Sequence, residues 1–246
     1  MIHILYVVPV HNDAGTLPTE IEKLTAELAK RPQRFDVLLA ENGSSDDSAD
    51  VTRSLAGESN GIVIRACSCA SAGIGYGYDL GIQEGLAAGA AADAWFLLTA
   101  SDLPFGSSDL DAFVPLIERE PSLRIAIGSK AHPSSRITGR AGRKLASFVY
   151  RGLRAGVIGM RTRDSQGTVL VRADVVRDLA AQTHARGFFY STELVYWAEH
   201  AGLHVHEVPV TLREEVRPST VRIGKHASQM LRELWALRMR GGMLHQ

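Results

Sequence analysis

The residues with the most chemical promise follow apolar runs. In the stretch from Leu97 to Phe105 a hydrophobic segment ends on a lone carboxylate, Asp102, between Ala100 and Pro104. An earlier run ends in Pro9, His11, Asn12 and Asp13, and a second in Glu41, Asn42 and Ser44, continuing acidic and hydroxyl-rich to Asp47. Side-chain acceptors of that kind suit ribose hydroxyls and a base edge. The same residues also suit a helix N-cap followed by a solvated first turn. Gly73 and Gly75 open a glycine-rich segment that fits either a phosphate cradle or close packing of a helix on a strand.

These residues need elements to hold them. Residues 2–10 form a continuous β-branched run, as expected of a strand covered on both faces, and apolar residues at helical spacing follow at Leu17, Ile21, Leu24 and Leu28. The pattern recurs: strands over 35–41, 61–67 and 94–100, with helices from about Asp46, from Gly73 to Ala88, and from Ser108 to Glu118. Such alternation predicts a mostly parallel sheet flanked by helices, with ligands beyond the carboxyl ends of the strands. The singled-out residues all lie at those ends.

Bulk properties narrow the class. The chain has 246 residues, 27 Lys plus Arg against 27 Asp plus Glu, so no net field draws it to nucleic acid. The cysteines, Cys67 and Cys69, are two residues apart on one strand, which fits a reducing, cytoplasmic setting. The apolar stretch from Gly85 to Ala100 is interrupted by Asp93 and is too short to span a bilayer.

Taken in order, the segments resemble family 2 glycosyltransferases, in the dolichol-phosphate mannosyltransferase branch. Residues 7–21 are similar to the family's opening segment, 38–51 to its second strand and acidic turn, and 71–85 to its glycine-rich third segment. Residues 126–153, 163–171, 187–210 and 217–223 then follow in the family's order. The resemblance implies a GT-A fold over residues 1–220, a nucleotide-diphosphate sugar donor, and inverting transfer to an acceptor, foremost a polyprenyl phosphate. Transfer to a hydroxyl, and a degenerate member that binds the donor without transfer, stay open.

Carried over position by position, the resemblance implies a nucleotide-sugar site of Pro9, His11, Asn12, Asp13, Glu41, Asn42, Ser44, Gly73, Gly75, Ser101 and Asp102. It gives catalytic parts to Asp102, Asp164 and Glu193, and an acceptor or phosphate site to Arg136, Arg143, Gln166, Arg217 and Ser219. Lys130, Arg140 and Arg222 are further candidate cations. Asp102 matches the family's metal-holding carboxylate, but Ala100 and Pro104 stand where two further ligands belong. A Mg²⁺ or Mn²⁺ ion is therefore expected to be weakly held, through Asp102 and the donor diphosphate. Asp164 is the candidate base for a hydroxyl acceptor, or a turn residue; Glu193 orients substrate or pairs locally.

Residues 221–246 read as a separate basic amphipathic helix and tail. Ile223, Ala227, Met230, Leu231, Leu234 and Leu237 recur at helical spacing, and residues 217–246 carry six Lys or Arg against Glu233 alone. The expected occupants of the apolar stripe are the chain's own domain, the partner in a homodimer, or an anionic membrane face that the protein touches peripherally.

Overall fold

The structure is a computed structural model that describes residues 1–104, 106–137, 141–211 and 223–243, with backbone alone for 141–149, 223–229 and 243. Arg140, Arg217, Ser219 and Arg222 lie outside the described residues, and so does the side chain of Arg143.

The first half follows the alternating pattern. Strand β1 (His3–Val10) leads to α1 (Leu17–Leu28), β2 (Arg34–Asn42), α2 (Ser48–Ser54), β3 (Gly57–Ser59), β4 (Ile62–Cys69), α3 (Ile74–Ala87), β5 (Trp95–Leu98) and α4 (Leu110–Arg119). Then come β6 (Ile125–Ser129), α5 (Ala141–Ile158), β7 (Val169–Arg172), α6 (Ala173–Gln182), α7 (Tyr190–His200), β8 (Val205–Pro209) and α8 (Ile223–Met243). Two helices begin two residues later than their polar starts suggest. Asp46 and Asp47 belong to the turn before α2, where Asp46 Oδ1 accepts the Ser48 N–H, and Ser108 and Asp109 lie in the turn before α4.

The strands form one sheet in the order β3-β4-β2-β1-β5-β7-β6-β8. Pairings β4/β2, β2/β1, β1/β5 and β6/β8 are parallel, whereas β3/β4, β5/β7 and β7/β6 are antiparallel. Six strands thus share one direction and β3 and β7 oppose it. The start of β7 therefore lies on the edge where the six end. The chain crosses from β4 to β5 on the far side of β1, making the gap between the β1 and β5 ends a topological switch point.

Both faces are covered, as the unbroken apolar strands predict. Leu5, Val7, Phe96 and Leu98 face a core shared with α3, α6, α7 and α8, and alternate residues Ile4, Tyr6, Trp95 and Leu97 face a second core with α1 and α4. Leu234 and Leu237 of α8 are completely buried in the first core.

Helix α3 approaches the sheet along glycines every fourth residue. A Cβ on Gly77 would stand 2.7 Å from Pro9 Cβ, one on Gly81 2.4 Å from Val7 Cγ1, and one on Gly85 2.6 Å from Phe96 Cε1. Hydrogens alone fit there. Helix propensity by itself predicts that Gly81→Ala stabilises the chain by about 1 kcal/mol. The contact with Val7 predicts the opposite sign, a loss of about 1–3 kcal/mol from overpacking, read as a lower urea midpoint.

Candidate functional site

The loops after β1 and β2 are stapled together. Asn12 adopts a left-handed conformation, φ 57°, which asparagine tolerates. Its N–H donates to Ser44 Oγ at 3.1 Å, and its Oδ1 accepts from the Ser45 N–H at 2.8 Å. The Asp13 N–H donates to Ser48 Oγ at 2.8 Å, the Ala14 N–H to Asp46 Oδ2 at 3.3 Å, and the His11 ring donates to the Asn42 carbonyl at 2.9 Å. The Ser48 hydroxyl and neighbouring amides hold the Asp46 carboxyl below the usual carboxylate range.

Burial sorts the expected nucleotide set into two tiers. His11 and Asn12 are exposed, and Asp13 and Ser44 are half-buried. Pro9, Glu41 and Asn42 are buried: Glu41 Oε1 accepts the Ser44 N–H at 2.6 Å, and Asn42 is 1% exposed beneath Gly77 of α3. Gly73 and Gly75 are packed against backbone, not open to a ligand. A Cβ on Gly73 would meet Arg186 O at 2.4 Å, one on Gly75 would meet Ala185 O at 2.8 Å, and the Gly75 N–H donates to Arg186 O.

Ser101 joins this pair of loops to the one after β5, since its hydroxyl donates to Asp13 Oδ2 at 2.5 Å. The next residue, exposed Asp102, stands on the rim of a cavity of about 470 Å³, a small-molecule size. Ala100 and Pro104 line it too, so the positions of the two replaced ligands do face the cavity. Among the described residues no cluster of three His, Cys, Asp or Glu is arranged to hold a metal. A divalent cation would be held here by Asp102, with most ligands from a bound diphosphate and water.

The reversed strand brings residues 164–168 to the same cavity, where Gln166, Gly167 and Thr168 meet Lys130 from the end of β6. Asp164 Oδ2 accepts the Lys130 N–H at 2.8 Å and Oδ1 accepts the Gln166 N–H at 3.0 Å, so both carboxylate oxygens hold backbone. Lys130 Nζ donates to the Gln166 carbonyl at 3.2 Å. Behind the loop, Arg154 is 3% exposed and donates to Ser165 Oγ and to the Arg163 carbonyl; burial lowers its affinity for its proton. A Cβ on Gly167 would overlap the Gly128 carbonyl at 1.7 Å, which makes glycine obligatory. Arg136 is exposed and away from the lining, with its N–H on the Val210 carbonyl.

Glu193 is wholly buried and is not among the cavity-lining residues. Its Oε2 accepts the Ala185 N–H at 2.8 Å, and its Oε1 accepts from Trp197 Nε1 at 3.3 Å and pairs with Arg240 of α8 at 2.7 Å. It thus ties two cavity walls together. One is the 183–189 loop, which presents Phe188 and is clamped to α3 by Arg186 and Asp79 at 2.8 Å; the other is α8, which presents Met230 and Glu233. Sequence reasoning passed over Tyr78, Thr168, Phe188 and Met230 as site residues. Glu233, the lone acid of a basic segment, carried a signal in its composition.

No protein-family model matches the chain. Mannosyl-3-phosphoglycerate synthase from Rubrobacter xylanophilus aligns with TM-score 0.67 and 18% identity, over 100% of this chain and 76% of that one. Glucosyl-3-phosphoglycerate synthase from Mycobacterium tuberculosis, solved with Mn²⁺, uridine-diphosphate-glucose and phosphoglyceric acid, aligns with TM-score 0.65 and 17% identity over 96% and 79%. The chain has the GT-A fold. Among curated proteins, undecaprenyl-phosphate 4-deoxy-4-formamido-L-arabinose transferase from Serratia proteamaculans (strain 568) is 36% identical over 58 residues, 24% of this chain and 18% of that relative's length.

Beneath the Asp102 loop, Asp109 is 1% exposed at the start of α4, beside the buried hydroxyl of Tyr6. Burial pushes its carboxyl up to about 6; the Thr168 hydroxyl and the Leu110 amide pull the other way. A raised carboxyl favours the folded state while both states are protonated, below about pH 4. That advantage is lost as pH rises through about 6, because the unfolded chain ionises first. Asp109→Asn should remove the loss. Its stability relative to wild type should rise by about 2–3 kcal/mol between pH 4 and pH 7, measured by urea unfolding across that range.

Proposed function

We propose that the chain is a glycosyltransferase that moves a sugar from a nucleotide-diphosphate sugar to a phosphate-bearing acceptor, foremost a polyprenyl phosphate, with inversion. The observation that carries this is the Ser101–Asp13 bond, which joins the stapled β1 and β2 loops to a cavity bearing Asp102 and Lys130. The nucleoside lies along His11, Asn12, Asp13 and Ser44, with Glu41 holding the turn from below. The acceptor oxygen attacks the anomeric carbon, and the electrons of the breaking C–O bond leave with the diphosphate. A Mg²⁺ or Mn²⁺ ion at Asp102 supplies charge neutralisation for that diphosphate when bound.

The acceptor assignment rests on the lining. Lys130 supplies a cation for a phosphate, and Ile74, Phe188 and Met230 supply apolar surface for an attached hydrocarbon. A phosphate nucleophile is already an anion and needs no base. That agrees with Asp164, whose two oxygens hold the Lys130 and Gln166 amides. In this reading Asp164 is a positioning residue that aims Lys130.

A second reading, transfer to a hydroxyl of a small phosphorylated acid, is favoured by the fold-wide likeness to the two phosphoglycerate synthases and by the Glu233 carboxylate in the cavity. The readings separate in assays of donor consumption with a nucleotide-sugar panel, given either a short polyprenyl phosphate or 3-phosphoglycerate. With the lipid phosphate, Lys130→Gln should weaken acceptor use by about 1.5–3 kcal/mol, the worth of a charge-assisted bond, and Asp164→Asn should cost less. Abolition by Asp164→Asn with Lys130→Gln near wild type would reject the lipid-phosphate assignment. Consumption of no donor would reject transfer altogether. Calorimetry should find no tight Mn²⁺ site in the nucleotide-free protein, and a cation bound together with the donor; a stoichiometric tight site without nucleotide would contradict the single-carboxylate arrangement.

A further inference from the structure

Helix α8 has two apolar faces where docking needs one. Met230, Leu234 and Leu237 turn inward, the last two completely buried, and Gly241 lies against Tyr196. Leu231, Trp235 and Met239 recur every fourth residue on another side, 40%, 59% and 65% exposed. At about 100° per residue, Arg238 and Arg232 bracket this outer stripe. Arg238 also donates to the Val157 carbonyl, joining α8 to α5, whose Leu153 is exposed as well.

We infer that this outer face of α8 docks on an anionic lipid surface. Its chemistry selects that occupant. An indole, a thioether and an isobutyl group side by side, edged by guanidinium groups, match the boundary between headgroups and acyl chains, where apolar burial and attraction to anionic lipid add. Of the α8 arginines, Arg232 and Arg238 edge the outer stripe while Arg240 pairs with buried Glu193, and the lone acid of the helix, Glu233, turns to the cavity. A second copy would set arginines against arginines. No helix among the described residues is long and apolar enough to cross a bilayer, so the contact is peripheral. Met230 and Glu233 wall the cavity from the opposite side of the same helix, so docking sets the cavity about one helix diameter, ~10 Å, from the lipid surface. The inference concerns the surface alone and stands whichever acceptor is used.

Sedimentation of the full chain with vesicles of phosphatidylcholine, or of phosphatidylcholine mixed with phosphatidylglycerol, tests it. Binding is expected to the mixed vesicles, to weaken with salt, and to fall about tenfold or more in a Leu231→Ala/Trp235→Ala variant. Arg232→Glu should weaken binding to the mixed vesicles without altering the thermal midpoint, which separates lipid contact from misfolding. Trp95 and Trp197 are 5% and 4% exposed, so a blue shift of tryptophan emission on vesicle addition reports Trp235. Equal binding to both vesicle types, no binding to either, or a vesicle-free dimer that Trp235→Ala dissolves would overturn the inference, the last assigning the face to a second copy.

Discussion

Strand β7 hydrogen-bonds antiparallel to both β5 and β6, and this reversal brings the beginning of one strand to the edge where six others end. Without it, residues 164–168 would sit at the opposite edge, some four residues of strand away. The contact of Gly167 with the Gly128 carbonyl shows how closely the reversed segment is held. Lys130 Nζ then reaches the Gln166 carbonyl although the chain between them runs out through α5 and back. The cavity floor is thus a product of backbone direction before it is a product of side chains.

The other side of the site depends on close approach. With Gly77 on Pro9 and Gly81 on Val7, α3 lies low enough to cover Asn42 and to receive the 185–186 backbone at Gly73 and Gly75. The glycine-rich segment therefore acts on the ligand site indirectly. It seats the loop that carries Phe188, and leaves His11 and Asn12 exposed with Asp13 and Ser44 half-buried at the β1 and β2 ends.

Much of this was legible in residue order. The buried runs at 3–10, 34–42 and 95–98 and the helices between them announce themselves, because both-sided burial needs unbroken apolar strands. Strand β3 does not, since Gly57, Glu58 and Ser59 pair only through backbone at the sheet edge. Residue types singled out Asp102 and Lys130, which line the cavity, but the partners of a side chain are a property of geometry. Nothing in the sequence shows that both oxygens of Asp164 accept amides, or that Glu193 turns from the cavity toward Arg240. The tail's stripe was legible as amphipathic. Its division into an inner face and an outer face needed the position of α8 on the core.

The Glu193–Arg240 pair also bears on the order in which the molecule can be completed. Glu193 and the loop it braces belong to α7, whereas Arg240 arrives with α8, after every strand of the sheet. A growing chain that has made β8 has every strand of its sheet, while the cation that pairs with the Glu193 carboxylate is still to come. The loop bearing Phe188 can take its clamp to α3 through Arg186 and Asp79 before α8 exists, and gains the tie to Arg240 only with it. The cavity wall that carries Met230 and Glu233 is the last to be synthesised.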